Sequence, residues 1–316
     1  MVAIRTEGLT KDYPVGFWRR RPYRALDHLT LDIAAGQVFG FLGPNGAGKT
    51  TTLKLLLQLI FPTAGRAEIL GRLAGDVAVR RRIGYLPENP YFYDHLTAEE
   101  LLDYFARLFA LPAADRRRRI AALLDEVGLG AERRMQLRKF SKGMLQRVGI
   151  AQALINEPEL VFLDEPMSGL DPIGRRDVRA LILRLRDRGC TVFFSSHVLS
   201  DAEALCSHVG IIAAGRLVAS GSLSNMLAFQ ARGWELVVQG VREELLSRVA
   251  AGANRITRIA DGRYALELPL DPPPERLVAE VAAMGGRLIS LMPIRDTLEE
   301  FFVRHVAIAE PRVGVS

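Results

Sequence analysis

Residues 43–51 read Gly43-Pro44-Asn45-Gly46-Ala47-Gly48-Lys49-Thr50-Thr51, and no other stretch constrains this chain so tightly. A glycine, four residues, a second glycine, then lysine and a hydroxyl residue is the P-loop pattern. Its glycines let backbone N–H groups converge on phosphate oxygens at a helix N-terminus. Lys49 adds a mobile positive charge at the β/γ-phosphates, and Thr50 offers a hydroxyl to Mg²⁺. The flanks agree with this reading: the apolar run Val38-Phe39-Gly40-Phe41-Leu42 enters the loop, and Lys49 to Ile60 continues with a helical apolar pattern. The segment is therefore strand, loop, helix.

Two further apolar runs, Leu160-Val161-Phe162-Leu163 and Thr191-Val192-Phe193-Phe194, are bounded by polar or turn residues, as expected of strands buried on both faces of a parallel sheet. Arg175 to Arg188 reads as the crossover helix between them, and Ile211-Ile212 and Leu217-Val218 flank Gly215-Arg216 as an edge hairpin. The first run ends in Asp164-Glu165. Beside a P-loop, Asp164 is the candidate Mg²⁺ residue and Glu165 the candidate general base that polarises the attacking water. Alone, the pair would be an ordinary acidic helix start. Between the loop and this strand lie mostly helical segments: Thr97 to Leu108, Ala113 to Val127 and Ser141 to Ile155.

Phe140-Ser141-Lys142-Gly143-Met144-Leu145-Gln146-Arg147 opens the last of these, some twenty residues before the acidic pair. With this signature-like segment in place, residues 1–220 resemble the nucleotide-binding subunits of ABC transporters. The resemblance implies an α/β fold: a P-loop NTPase core with a mostly parallel sheet, an antiparallel β subdomain and a helical insert at about 89–157. It also implies ATP and Mg²⁺ as cofactors, and a second copy of the chain whose P-loop nucleotide meets Ser141, Lys142 and Gly143. Met144 stands where the family usually has glutamine, so the sequence is closer to exporter-type members with a Ser-Lys-Gly-Met version. Further carry-overs are Tyr13 as the aromatic that stacks on adenine, Asp171 in a D-loop Ser168-Gly169-Leu170-Asp171, and His197 as the switch histidine at the γ-phosphate. Glu88, in Gly84-Tyr85-Leu86-Pro87-Glu88, falls where the family has the Q-loop glutamine; a carboxylate there still suits Mg²⁺ but opposes the γ-phosphate unless metal screens it. Tyr91 to His95 and Leu96 are the expected coupling surface toward a membrane partner.

The segment Val15 to Arg24 intervenes before the strand expected after Tyr13, and its Phe17, Trp18 and Tyr23 compete for the stacking role. Its Arg19, Arg20, Arg21 and Arg24 suit a solvated loop, lipid head groups, an acidic partner loop or nucleic acid. The runs Arg80 to Arg82 and Arg116 to Arg119 read as solvated faces, the latter within reach of Asp125 and Glu126.

After Ser220 the motifs stop. Glu235 to Gln239, Glu243 to Ala250, Arg255 to Ile259, Tyr264 to Leu268, Glu275 to Ala283 and Leu288 to Met292 spell β-α-β-β-α-β, a small ferredoxin-like α+β domain over 221–316. A last helix from Thr297 to His305 closes it, and the ending Thr297-Leu298-Glu299-Glu300-Phe301-Phe302 resembles the extensions of drug- or sodium-export ATPases. The excess of 42 basic over 36 acidic residues lies before this tail, which holds 11 basic and 12 acidic side chains.

No run approaches the ~20 apolar residues of a membrane span, and the N-terminus lacks a signal-peptide pattern. The expectation is a cytoplasmic subunit, peripheral on the membrane, working with a separately encoded transmembrane permease. Cys190 and Cys206 have no metal or disulfide spacing and read as small buried residues. The alternative is a soluble ABC-type ATPase acting on nucleic acid or ribosomes. Ribosome-acting members normally carry two cassettes, repair ATPases a long coiled coil between P-loop and signature, and P-loop kinases no signature at all. A single cassette with its signature and no sustained heptads favours the transporter subunit and makes nucleic acid an unlikely partner.

Overall fold

The computed structural model describes residues 1–15, 21–226, 232–241, 252–283, 285–294 and 298–309. The chain divides into two compact units: Met1–Leu223 with the stretch that begins at Phe302, and Ser224–Phe301.

The first unit holds two sheets. Strands β1 (Val2–Val15), β2 (Arg21–Ala34), β4 (Ala64–Ile69) and β5 (Arg72–Leu73) form an antiparallel sheet in the order β2-β1-β4-β5. The second sheet runs β10-β9-β3-β8-β7-β6, from β3 (Val38–Leu42), β6 (Ile83–Leu86), β7 (Leu160–Asp164), β8 (Thr191–Ser196), β9 (His208–Ala213) and β10 (Arg216–Ser222). Its pairings are parallel except for the edge hairpin β9–β10. Every residue of β3, β7 and β8 is buried, which is why these strands read as unbroken apolar runs. Phe193 of β8 sits at the centre, its ring 5.8 Å from Phe39, 5.4 Å from Phe41 and 5.7 Å from Phe162.

The helices are α1 (Lys49–Leu56), α2 (Val77–Arg80), α3 (Ala98–Leu108), α4 (Ala113–Glu126), α5 (Lys142–Ala153), α6 (Pro172–Asp187) and α7 (Leu199–Leu205). Helix α1 ends four residues short of the expected Ile60. Gln58 takes a left-handed backbone (φ 53°) and the Leu59 N–H closes back on the Lys54 carbonyl, a helix stop shortly before Pro62. Helix α3 starts on a full capping box, Thr97 and Glu100 satisfying each other's backbone N–H groups. The arginines of α4 find other partners than the Asp125 and Glu126 expected from their spacing. Arg116 pairs with Asp103 of α3, Arg118 with Asp115, and Arg119 with Glu157 beyond α5, while Glu126 takes Arg188. Arg118–Asp115 is a neighbour pair within α4, whereas the partners of Arg116, Arg119 and Glu126 come from other elements.

After Tyr13, Pro14 and Val15 continue β1, and Arg21 to Arg24 open β2. β1 and β2 continue their pairing outward as a long hairpin in which Tyr13 faces Tyr23. Phe17, Trp18, Arg19 and Arg20 lie outside the described residues.

In the second unit, β11 (Gly233–Gln239), β12 (Arg255–Ala260), β13 (Arg263–Pro269) and β14 (Arg287–Ile294) form an antiparallel sheet in the order β12-β13-β11-β14. The helix Glu275–Ala283 buries Val281 against Leu236, Val238, Tyr264, Leu266 and Leu268. This strand order is that of a ferredoxin-like sheet. The helix expected over Glu243 to Ala250 lies outside the described residues. The last helix, Leu298–Ala309, spans the division between the units. Among the described residues, no helix is long and apolar enough to cross a membrane.

Candidate functional site

The parallel order β3-β8-β7 brings three strand ends together, and the chemistry-bearing residues leave from those ends. The P-loop follows β3, His197 follows β8, and Asp164 and Glu165 close β7. The register aligns them, Leu42 with Ser196 and Asp164 with Ser195.

Two glycines show why the loop needs its sequence. A side chain on Gly43 would collide with the Ile212 carbonyl, and one on Gly48 would place its Cβ 2.7 Å from the Ala25 carbonyl oxygen. Gly48 also has φ 108°, a backbone that other residues avoid. From the first turn of α1, Lys49 reaches back into the loop, its ammonium donating to the carbonyls of Gly43 (2.7 Å) and Pro44 (3.2 Å). Lys49 is 6% exposed and its Nζ lies 3.2 Å from Glu165 Oε1. The other oxygen of Glu165 lies 2.9 Å from His197 Nδ1. A buried carboxylate is thus held between a lysine and an imidazole.

Asp164 lies beneath this trio, 1% exposed. Its Oδ1 accepts from Ser195 Oγ at 2.6 Å and from Thr50 Oγ1 at 3.4 Å. Burial pushes its carboxyl above the usual range, against the opposing pull of those two hydroxyls. The same Ser195 hydroxyl accepts the Glu165 N–H at 3.0 Å, which fixes the left-handed backbone of Glu165 (φ 49°). Ser195 therefore positions both carboxylates. The sequence reading passed over it; the signal was a polar pair, Ser195-Ser196, ending an otherwise apolar buried strand.

Lys49, Thr50, Glu165 and His197 border a cavity of about 520 Å³ whose other lining residues are Tyr13, Tyr23, Ala25, Asn45, Gly46, Gly48, Thr51, Glu88 and Ser168; Asp164 and Ser195 are not among them. Its floor is cationic loop and helix N-terminus, a setting for phosphate, and its outer wall is aromatic, a setting for a base. The hydroxyl of Thr50 and the carboxylate of Asp164 are neighbouring hard oxygen donors, the type a divalent cation such as Mg²⁺ takes together with phosphate. Glu88 lines the same cavity. Gly43, Pro44 and Ala47 do not line it; Gly43 and Pro44 act through their carbonyls on Lys49, and the Ala47 carbonyl accepts from Gly215.

Ser141, Lys142, Gly143 and Asp171 are not among the lining residues either. Ser141 caps α5, accepting the Met144 N–H at 3.2 Å, and Asp171 caps α6, accepting the Gly174 N–H at 2.8 Å. The Lys142 ammonium lies against Gly169, so the segments carrying Ser141 and Asp171 abut within one chain. Both cysteines are free and buried, and burial pushes the Cys190 thiol up to about 12.

Comparison with known proteins matches residues 26–168 to the family model described as ABC transporter. The chain is 46% identical over 305 residues to a protein described as an uncharacterized ABC transporter ATP-binding protein of Synechocystis, covering 96% of this chain and 84% of that one. It is 45% identical over 218 residues to the bacitracin transport ATP-binding protein of Bacillus licheniformis, covering 68% of each. Among solved structures, an ATP-binding subunit of an ABC transporter aligns with a TM-score of 0.62 at 32% identity, over 71% of this chain and 91% of that one. A dimeric ATP-binding cassette with ADP and Pi aligns with a TM-score of 0.64 at 26% identity, over 70% and 98%.

Proposed function

This chain belongs to the ABC transporter ATP-binding family, an ATP-hydrolysing transport subunit, and we propose that two copies close head to tail over two ATP molecules to drive a separately encoded exporter permease. The observation that carries the reading is the convergence of Lys49, Glu165 and His197 from three strand ends on one cavity. Thr50 and Asp164 would hold Mg²⁺, which would supply charge neutralisation at the phosphates. The γ-phosphate draws the Lys49 ammonium away from Glu165 and takes the place of that carboxylate as its counter-ion. Glu165, still held through its N–H by Ser195 and through its carboxylate by His197, is left to accept the proton of the attacking water. His197 keeps the carboxylate aimed and faces the γ-phosphate.

Ser141, Lys142, Gly143 and Asp171 serve the partner copy's nucleotide in this reading, which accounts for their absence from the cavity of their own chain. Their caps leave the N-terminus of α5 facing outward with no acidic residue in its first turn, a fit for an incoming phosphate. The permease docks on the cleft lined by Tyr91, Tyr93, His95, Arg138, Phe140 and Leu145, where Tyr91 is fully exposed. The subunit then works on the cytoplasmic face of the membrane. A role on nucleic acid is disfavoured by the arginines themselves, many of which are neutralised by carboxylates on the first unit's surface.

Replacing Glu165 by Gln tests the proposal. ATP binding is retained, turnover falls by about 10²–10⁴, and the protein runs as a dimer when ATP is present. Unchanged hydrolysis removes Glu165 from the role of base, and a monomer at saturating ATP breaks the head-to-tail arrangement. Isolation from membranes together with a permease checks the partner.

A further inference from the structure

The hairpin β1–β2 carries an element that a single stacking aromatic does not explain. Tyr13 and Tyr23 are directly opposed across the antiparallel pair, so their side chains leave on the same face, and both line the nucleotide cavity. We infer that the nucleotide base is held by this cross-strand pair of tyrosines, with Tyr23 a second base-contacting residue beside Tyr13. The inference rests on the ATP-binding reading of the cavity and adds the residue that completes its base subsite.

Three features prepare the pair. Lys11, which is outside the cavity lining, lies over the Tyr13 ring with Nζ 5.2 Å from the centroid, and its ammonium is anchored on the Phe61 carbonyl at 2.7 Å. One ring face is thereby occupied and the ring is fixed, leaving the other face for the base. Tyr23 is 54% exposed, an aromatic ring held at the cavity with no core to fill. Such a ring at a strand position gains by covering a ligand.

The second feature is an ionic clasp one residue inward. Arg24 spans the hairpin to Asp12, Nε to Oδ1 at 2.9 Å, and also reaches Asp27 at 3.1 Å; Asp27 in turn takes Arg216 from the β9–β10 hairpin at 2.7 Å. The third is a bulge. Lys11 pairs with Leu26 and Asp12 with Arg24, which leaves Ala25 as the extra residue. Its carbonyl is pressed against Gly48 and Gly215, and Gly215 is tied to both Asp27 and Ala47 through backbone hydrogen bonds. The tyrosine pair is therefore registered to the phosphate loop by backbone contact, so base and phosphates are measured from one rigid piece.

The test compares ATP with inorganic tripolyphosphate on the full chain, by calorimetry in the presence of Mg²⁺, for the parent, Tyr23→Ala, Tyr23→Phe, Tyr13→Ala and Lys49→Ala. Base–aromatic stacking predicts that Tyr23→Ala weakens ATP by about tenfold while tripolyphosphate affinity stays within twofold. Tyr23→Phe retains parental ATP affinity because the ring is kept. Equal loss for both ligands in Tyr23→Ala, or no loss for either, overturns the second base contact. Failure of the underlying reading has a different signature: Lys49→Ala then binds ATP and tripolyphosphate as tightly as the parent does. Far-ultraviolet circular dichroism of each variant shows that the fold is kept, and Tyr23→Phe provides the comparison that a general loosening of the hairpin would not spare.

Discussion

The two units differ in what they bury. In the first, Lys49, Asp164, Glu165, Ser195, Ser196 and Asp201 are all nearly inaccessible, and two of them, Lys49 and Glu165, line the candidate cavity. In the second, among the described residues, the buried set is apolar: Leu236, Val238, Val241, Tyr264, Leu266, Leu268 and Val281. Burying charge opposes folding unless partners or a ligand compensate it, so a chain accepts it where chemistry needs it. The buried charge thus lies in the first unit, while the described core of the second is apolar.

The sharpest way to break this contrast is to damage the apolar core and ask whether the cavity notices. Leu266 is fully buried between Leu236 on one neighbouring strand and Ile256 on the other. Leu266→Ala is expected to destabilise the second unit by about 2–5 kcal/mol. Urea unfolding followed by the fluorescence of Trp234, which packs on that core, measures the loss. ATP affinity should stay within twofold of the parent. A parallel fall in ATP affinity would show that the two cores are energetically one.

A smaller effect is expected from the reverse operation in the first unit. Ser195 is fully buried, donates to Asp164 and accepts from the Glu165 N–H. Ser195→Ala orphans that N–H and withdraws a donor from a buried carboxylate, a loss of about 1–3 kcal/mol. Because the freed backbone no longer aims Glu165, kcat should fall about tenfold or more with KM for ATP little changed. Steady-state kinetics beside thermal melting separate the two. A stability loss with unchanged kcat would make Ser195 a packing residue.

The same contrast explains what could be read in advance. β3, β7 and β8 are continuous apolar runs because both faces are covered, and the P-loop, Asp164, Glu165 and His197 hang from their ends, so the chemistry was visible residue by residue. β13 alternates buried and half-buried positions and was legible from its period of two. The extent of β1 and β2 was not visible, because Arg21, Tyr23 and Arg24 look like loop residues until Val15, Tyr13 and Asp12 stand opposite them. Ser195 escaped for a related reason: its two hydrogen bonds run to the neighbouring strand, and strand order is not a local property. The partners of Arg116 and Arg119 are likewise tertiary, supplied by Asp103 and Glu157 from other elements.

The smallest expected effect concerns how the hairpin, as opposed to the second unit's sheet, responds to acid. Asp12 is held below the usual carboxylate range by the hydrogen bond from Arg24, and Asp27 by those from His28, Arg216 and Arg24. A carboxyl whose pKa is lower in the folded state contributes its stabilisation fully above the unfolded-state value and loses it as pH falls through the folded value. The clasp is therefore intact at neutral pH and at pH 5, and opens only below the ordinary aspartate range of about 4. Hydrogen exchange of the amides of Asp12, Tyr13 and Ala25 should accelerate in that window, beyond the intrinsic pH dependence, ahead of the amides of Leu236 and Leu266. Arg24→Ala should remove most of the difference between pH 5 and pH 3.5 and, since the Arg24 side chain is half exposed, alter ATP affinity by less than about threefold. An identical acid response in the parent and in Arg24→Ala would mean that the Ala25 bulge against Gly48, rather than the charges, sets the position of the hairpin over the phosphate loop.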